Sequence, residues 1–187
     1  MRVISGSARG RRLLSPPNYR VRPTADRVKE SLFNILGNLT GGFDGFRVLD
    51  IFAGTGSLGI EALSRGAGQA VFIDNHKDSV ALILKNLRLL GFEERARVIE
   101  KEAIPALRYL EKREGPFHLV FIDPPYRLGL AEKVLECLSA SALIDENAIV
   151  VAEFSAGDNI PSAYAALREF DRRAYGDTCI AFFRKIA

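Results

Sequence analysis

Two cysteines and two histidines are all that this chain of 187 residues contains, and none of the four has a companion at ligand spacing. Cys137 and Cys179 lie too far apart to suggest a disulfide framework or a structural metal site, so both read as reduced core residues of a cytoplasmic protein. His76 and His118 are solitary and read as structural or surface groups, not as catalytic ones. Long apolar runs are also missing. The longest, around residues 148–152, is far short of the roughly 20 residues needed to span a bilayer, and no apolar run follows Arg2, so neither secretion nor membrane insertion is expected. There is no internal repeat and no low-complexity tract. One globular domain is the expectation for this length.

Acidic residues are scarce at one end. Residues 1–30 hold Arg2, Arg9, Arg11, Arg12, Arg20, Arg22, Arg27 and Lys29 against Asp26 and Glu30, a local net charge of +6 within a chain whose total is +3. The asymmetry points to a polyanionic partner, with a solvated tail that binds nothing as the plain alternative.

From residue 46 onward, short β-rich runs alternate with stretches of helical periodicity, the pattern of a parallel sheet with helices on its faces. Strands are predicted at 46–52, 70–74, 96–100, 117–122 and 148–154, and helices at 58–65, 77–90, 104–112 and 130–139. Residues 169–175 and 178–184 flank Gly176-Asp177, which reads as a tight hairpin turn. Before the sheet, Thr24 looks like an N-cap opening a helix through about Leu36, with Leu32, Phe33, Ile35 and Leu36 as its apolar face. Residues 37–45 then form a glycine-rich linker. The expected class is α/β, with residues 1–40 as a basic extension and 41–187 as the main domain.

The run Val48-Leu49-Asp50-Ile51-Phe52-Ala53-Gly54-Thr55-Gly56-Ser57-Leu58-Gly59 places a strand, a glycine turn and a helix start in succession. Gly54 and Gly56 lack the Cβ atoms that would block a ligand, and the first amides of the helix favour an anionic group. Gly54 to Gly59 also matches the dinucleotide pattern, so a nicotinamide-dependent oxidoreductase is a rival. Asp74 ends the next strand 20 positions after Gly54, where a carboxylate can hold ribose hydroxyls in either class of enzyme. Asp50 favours a methyltransferase. It would face a cationic amino group, and a carboxylate directly after a buried run needs a partner.

Asp123-Pro124-Pro125-Tyr126 follows the apolar run 117–122, at the carboxyl end of a strand, where open α/β sheets place ligands. The two prolines offer carbonyls and no amide donors. An exocyclic amine of a base has its lone pair delocalised into the ring and attacks a methyl group poorly. Accepting its two N–H groups at the Asp123 carboxylate and the Pro124 carbonyl would aim the lone pair, and these bonds strengthen as nitrogen becomes cationic. Tyr126 would stack on the base. A plain turn after a core strand is the alternative.

In this order, the glycine loop after Asp50, Asp74 and the Asp-Pro-Pro-Tyr tetrad resemble class I methyltransferases acting on amino groups of bases. Ile4-Ser5-Gly6, Gly10-Arg11-Arg12-Leu13, Arg22-Pro23-Thr24, the run from Asp26 to Leu36 and Tyr175-Gly176-Asp177-Thr178 are similar to bacterial 16S ribosomal RNA guanine-N2 methyltransferases, those for guanine 966. The resemblance covers nearly the whole chain. It implies a Rossmann-like, mostly parallel seven-stranded sheet with an antiparallel C-terminal hairpin, S-adenosylmethionine as cofactor and no metal. It further implies Asp50, Gly54 and Gly56 around the methionine part, Asp74 at the ribose, and Glu102 with Ala103 at the adenine, with Phe52, Ala53, Thr55 and Asn75 completing the set. Glu102 departs from the shorter Asp or Asn of related enzymes, and either reaches the adenine amine differently or points to solvent. Arg9, Arg11, Arg12, Arg20 and Arg22 would contact RNA phosphates, and Tyr19 either stacks on a nucleotide or anchors the loop. The implied partner is 16S ribosomal RNA, within a small-subunit particle, met by a monomer. The rivals are an adenine-N6 methyltransferase, since the tetrad serves any exocyclic amine, and a noncatalytic RNA-binding protein.

Overall fold

Buried aliphatic runs make the centre of the sheet. In the computed structural model, which describes residues 1–16, 23–125 and 128–186, β1 (Arg47–Ile51), β2 (Gln69–Asp74), β3 (Ala96–Glu100), β4 (Phe117–Ile122) and β5 (Ile144–Ser155) are parallel neighbours in the order β3-β2-β1-β4-β5. Strand order reverses beside β1, which opens a crevice at the carboxyl ends of β1 and β4. The hairpin of β7 (Leu167–Tyr175) and β8 (Thr178–Lys185) adds antiparallel to β5. An eighth strand of two residues, β6 (Ala163–Tyr164), closes the edge and extends the expected seven.

Helices cover both faces, because strands that lie inside a parallel sheet are apolar on both sides. On one face α4 (Ala103–Glu111) and α5 (Leu130–Ser139) pack through Leu107, Leu110, Val134 and Leu138 against Leu49, Val120 and Val150. On the other, α1 (Pro23–Thr40), α2 (Ser57–Ser64) and α3 (Lys77–Leu90) pack through Phe33, Leu36, Ile60, Leu63 and Ile83 against Val48, Phe72 and Phe121. Val3, Ala8 and Leu13 belong to this second core, so the start of the chain is packed against the sheet domain.

Most strands and helices fall within two residues of the sequence expectation, and two of the expected elements differ. Helix α1 starts on Pro23, ahead of Thr24, consistent with the missing amide and fixed φ of proline suiting a first turn. It also runs past Leu36 through Gly37, into what was expected to be a linker. Gly41, at φ 72°, ends it by donating its amide to the Gly37 carbonyl at 2.9 Å. Strand β5 begins four residues early, because Ile144 pairs with Phe117 before a register shift that carries the exposed Glu146 and Asn147.

Candidate active site

The glycine loop is shaped by carboxylates from the strands beneath it. Asp50 near the end of β1 accepts the Gly59 amide at 2.9 Å, and so takes one of the free donors in the first turn of α2. Gly59 has to lack a side chain, since a Cβ there would lie 2.4 Å from Phe72 and 3.2 Å from the Asp50 carboxylate. Asp74 at the end of β2 accepts the Gly54 amide at 2.8 Å with one oxygen and the His76 amide at 2.9 Å with the other. Gly54 and Gly56 are left-handed, at φ 56° and 77°, as is Phe52 at φ 64°. A positive φ on an aromatic residue stores strain of about 1–3 kcal/mol, and such strain concentrates at ligand sites.

Two cavities meet at Phe52. The larger, of about 630 Å³, is lined by Asp50, Phe52, Ala53, Gly54, Thr55 and Asp123 among others. The smaller, of about 240 Å³, is lined by Phe52, Asp74, Asn75, Glu102 and Ala103. Glu102 therefore reaches a cavity wall, at the N-cap position of α4. Gly56 lines neither; it caps α2 and packs against Ile60 and Ile83. Pro124 and Pro125 line a third hollow of about 220 Å³, with Phe154 and the start of α5.

The titratable groups lining the large cavity are mostly carboxyls: Asp50, Asp78 and Asp123, with Lys85. Burial pushes the Asp50 carboxyl up to about 7, with Asp74 adding to the effect and the Gly59 amide opposing it. Burial also raises Asp123 well above the carboxylate range, and the charges of Glu153 and Asp50 raise it further. These three carboxylates sit near the carboxyl ends of adjacent strands, on the face that α1 to α3 cover. Residues Asp50, Asp123 and Glu153 share the alternation of Val48, Phe121 and Val151. Among the described residues, the one positive side chain lining the large cavity is Lys85, against Asp50, Asp78 and Asp123.

Several contributors carry little sequence signal. Met1, Leu14, Ser15 and Pro16 line the large cavity, as do Asp78 and Lys85 of α3. The N-terminal segment is held there by buried polar residues, Asn86 and Glu61 foremost, with Ser64 and Lys29 also bonding its backbone. Asn86, fully buried in α3, accepts the Leu14 amide at 2.7 Å and donates to the carbonyls of Leu14 and Thr55 at 3.1 and 3.0 Å. Glu61, fully buried in α2, accepts the amides of Ile4 and Ser5 at 2.8 and 3.0 Å and pairs with Lys29 and Arg65. A lone carboxylate in the apolar helix Ser57–Ser64 was the one available hint of this.

Of the basic residues expected to meet RNA, Arg9, Arg11 and Arg12 are exposed, and Arg11 donates to the Leu89 carbonyl at 2.8 Å. Tyr19, Arg20, Arg22 and Tyr126 lie outside the described residues. His118 accepts the Arg47 amide and stacks on Phe46, His76 caps α3, and both cysteines are half-buried. Among the described residues no helix is long and apolar enough to cross a membrane.

Comparison with known proteins agrees with this architecture. Residues 1–184 match the family model described as conserved hypothetical protein 95. The chain is 38% identical over 185 residues to YlbH of Bacillus subtilis, covering 99% of both chains. It is 34% identical over 191 residues to the ribosomal RNA small subunit methyltransferase D of Escherichia coli K12, covering 95% of this chain and 93% of that one. The solved structure of Escherichia coli yhhF superposes with a TM-score of 0.86 at 33% identity, covering 100% of this chain and 98% of the other.

Proposed function

Because the chain belongs to the conserved hypothetical protein 95 family, that of the small-subunit ribosomal RNA methyltransferases D, we propose that it methylates the exocyclic N2 amine of a guanine in 16S ribosomal RNA, guanine 966 by resemblance. The supporting observation is that the carboxylates of Asp50 and Asp123 line one cavity with the glycine loop. This rim suits a cationic methyl donor on one side and an amine becoming cationic on the other.

The residues present fit S-adenosylmethionine. Asp50 is a buried carboxylate beside a roomy cavity, with a single amide, that of Gly59, as its hydrogen-bond partner among the described residues. Gly54 leaves open the space a Cβ would take, the nearest atom being the Phe52 carbonyl at 4.0 Å. When bound, the cofactor supplies an electrophilic methyl on a sulfonium. Asp50 holds its amino group, Asp74 and Asn75 the ribose, and Glu102 with Ala103 the adenine. Phe52, strained between the two cavities, divides them. Asp123 and the Pro124 carbonyl accept the two N–H groups of the base and direct the nitrogen lone pair into the cavity, and Tyr126 stacks on the ring. No general base is needed, because the proton leaves to water once nitrogen is cationic. Arg9, Arg11, Arg12, Arg20 and Arg22 meet phosphates, with residues 1–40 as the docking extension of a cytoplasmic monomer acting on a small-subunit particle.

The test is to incubate the protein and labelled S-adenosylmethionine with small ribosomal subunits, naked 16S RNA or duplex DNA, and identify the product nucleoside by mass spectrometry. N2-methylguanosine is expected in the ribosomal RNA. N6-methyladenosine as the product would replace the guanine reading with the adenine one, and label in DNA alone would overturn both.

A further inference from the structure

The outer wing of the sheet carries a feature that the site does not use. Arg168 of β7 and Arg184 of β8 are direct cross-strand partners, both exposed. Like charges placed opposite each other destabilise a sheet, so the pair is not there for stability. Neither has a carboxylate within ion-pair distance among the described residues, whereas the nearby Arg172 and Arg173 are paired with Glu169 and Asp171. Between the two strands the register slips at Glu169/Asp171, and the extra residue is Phe170. A bulge of this kind re-aims a side chain. Here it puts the Phe170 ring against Phe182, centroids 6.1 Å apart, on the sheet face that α1 also covers. The ring stays 39% exposed, large for an aromatic in a strand, and the Arg184 guanidinium lies 4.6 Å from its centroid.

We infer that Arg168, Phe170 and Arg184 form a second RNA-docking platform, the arginines holding phosphates and the Phe170 ring stacking on an unpaired base. This rests on the ribosomal RNA reading above and extends it to a surface away from the reacting atoms. Charge complementarity selects the occupant: two guanidinium groups without a carboxylate partner among the described residues, one of them lying over a part-exposed ring, fit a polyanion with aromatic faces. Arg184 lies opposite Ile149, four residues before Glu153. The platform is therefore roughly 13 Å along the strands from the level of Asp123, within the footprint of one RNA stem and loop.

The experiment measures binding of a 16S RNA transcript by fluorescence anisotropy across a salt series, for the wild type, Arg168→Gln/Arg184→Gln and Phe170→Leu. Losing two phosphate contacts should weaken binding about tenfold near 0.1 M salt and flatten the log–log salt slope by about 1.5. Phe170→Leu keeps the apolar contact with Phe182 and should weaken binding at least about fivefold, with the slope unchanged. Both variants should retain wild-type S-adenosylhomocysteine affinity, and the thermal midpoint of the double variant should not fall, because it removes a like-charge pair. Unchanged affinity and slope in both variants, or no binding by the wild type, would overturn the platform. So would a wild-type dimer that the substitutions dissociate while RNA affinity stays the same. A wild type that binds RNA through this surface yet methylates none would instead sink the enzymatic reading and leave the platform standing.

Discussion

The rim at the carboxyl ends of β1, β4 and β5 and the wing formed by β7 and β8 are parts of one continuous sheet with opposite electrostatics. The rim gathers Asp50, Asp123 and Glu153 where burial makes charge expensive, and among the described residues no guanidinium group lines its cavity. On the wing, arginines stand in solvent, where their charge costs little and reaches far. Chemistry that passes through a cationic nitrogen needs the first environment, and capture of a polyanion needs the second. Separating them prevents the arginines from neutralising the carboxylates. The most severe way to break the contrast is Asp123→Ala. We expect turnover to fall by about 10³-fold, on the scale of losing a transition-state hydrogen-bond partner, while calorimetric affinity for S-adenosylmethionine stays within about twofold. Parallel loss of cofactor affinity would show that Asp123 belongs to the cofactor side of the rim.

The next test sharpens the acidic side. Asp50, pushed up to about 7, is largely protonated in the empty protein at pH 6 and must ionise to pair with an ammonium group. Affinity for S-adenosylmethionine should therefore rise with pH, by up to about tenfold per unit below pH 7, and level off above it. Binding at pH 6 should release a proton, read by calorimetry in two buffers of different ionisation enthalpy. Asp50→Asn should remove both effects. The sign for stability is opposite. A carboxyl with a raised folded-state pKa favours the empty fold most at low pH, and that contribution is lost as pH rises through 7. Cofactor affinity that weakens from pH 6 to pH 8 would contradict the assignment.

Much of the sheet was legible because parallel strands are apolar on both faces and are bounded here by glycine or charge. The expected ranges 96–100 and 117–122 coincide with the strands found, as does 77–90 with α3. Elements without such contrast were not legible. Strand β6 is two residues long, and the early part of β5 carries the exposed Glu146 and Asn147. Gly37 reads as a breaker, yet it sits inside α1, with Phe43 3.9 Å from where its Cβ would be. Candidate site positions near the sequence motifs were readable because glycine turns and strand-end carboxylates are local patterns. The supports of the cavity were not. Asn86 reaches Leu14 across 72 residues and Glu61 reaches Ile4 across 57, and no local pattern reports such a pairing. Phe170 escaped for a related reason: its exposure depends on a register slip between two strands.

The smallest effect we expect comes from Glu153, which ends up beside Asp123 because Ile122 and Ala152 are register partners on neighbouring parallel strands. Its charge, with that of Asp50, adds to burial in raising the Asp123 carboxyl. Asp123 accepts N–H groups best when ionised, since protonation weakens the acceptor and removes the charge that stabilises a cationic nitrogen, so turnover should rise with pH along an acid limb that reports this group. Removing the like charge with Glu153→Gln makes ionisation easier and should move the limb to lower pH by less than about one unit. The plateau rate and S-adenosylhomocysteine affinity should stay near wild type. A limb that does not move would assign it to another group, and a limb moved upward would show that Glu153 helps Asp123 ionise, so that the acidic rim acts as a hydrogen-bonded pair and not as two repelling charges.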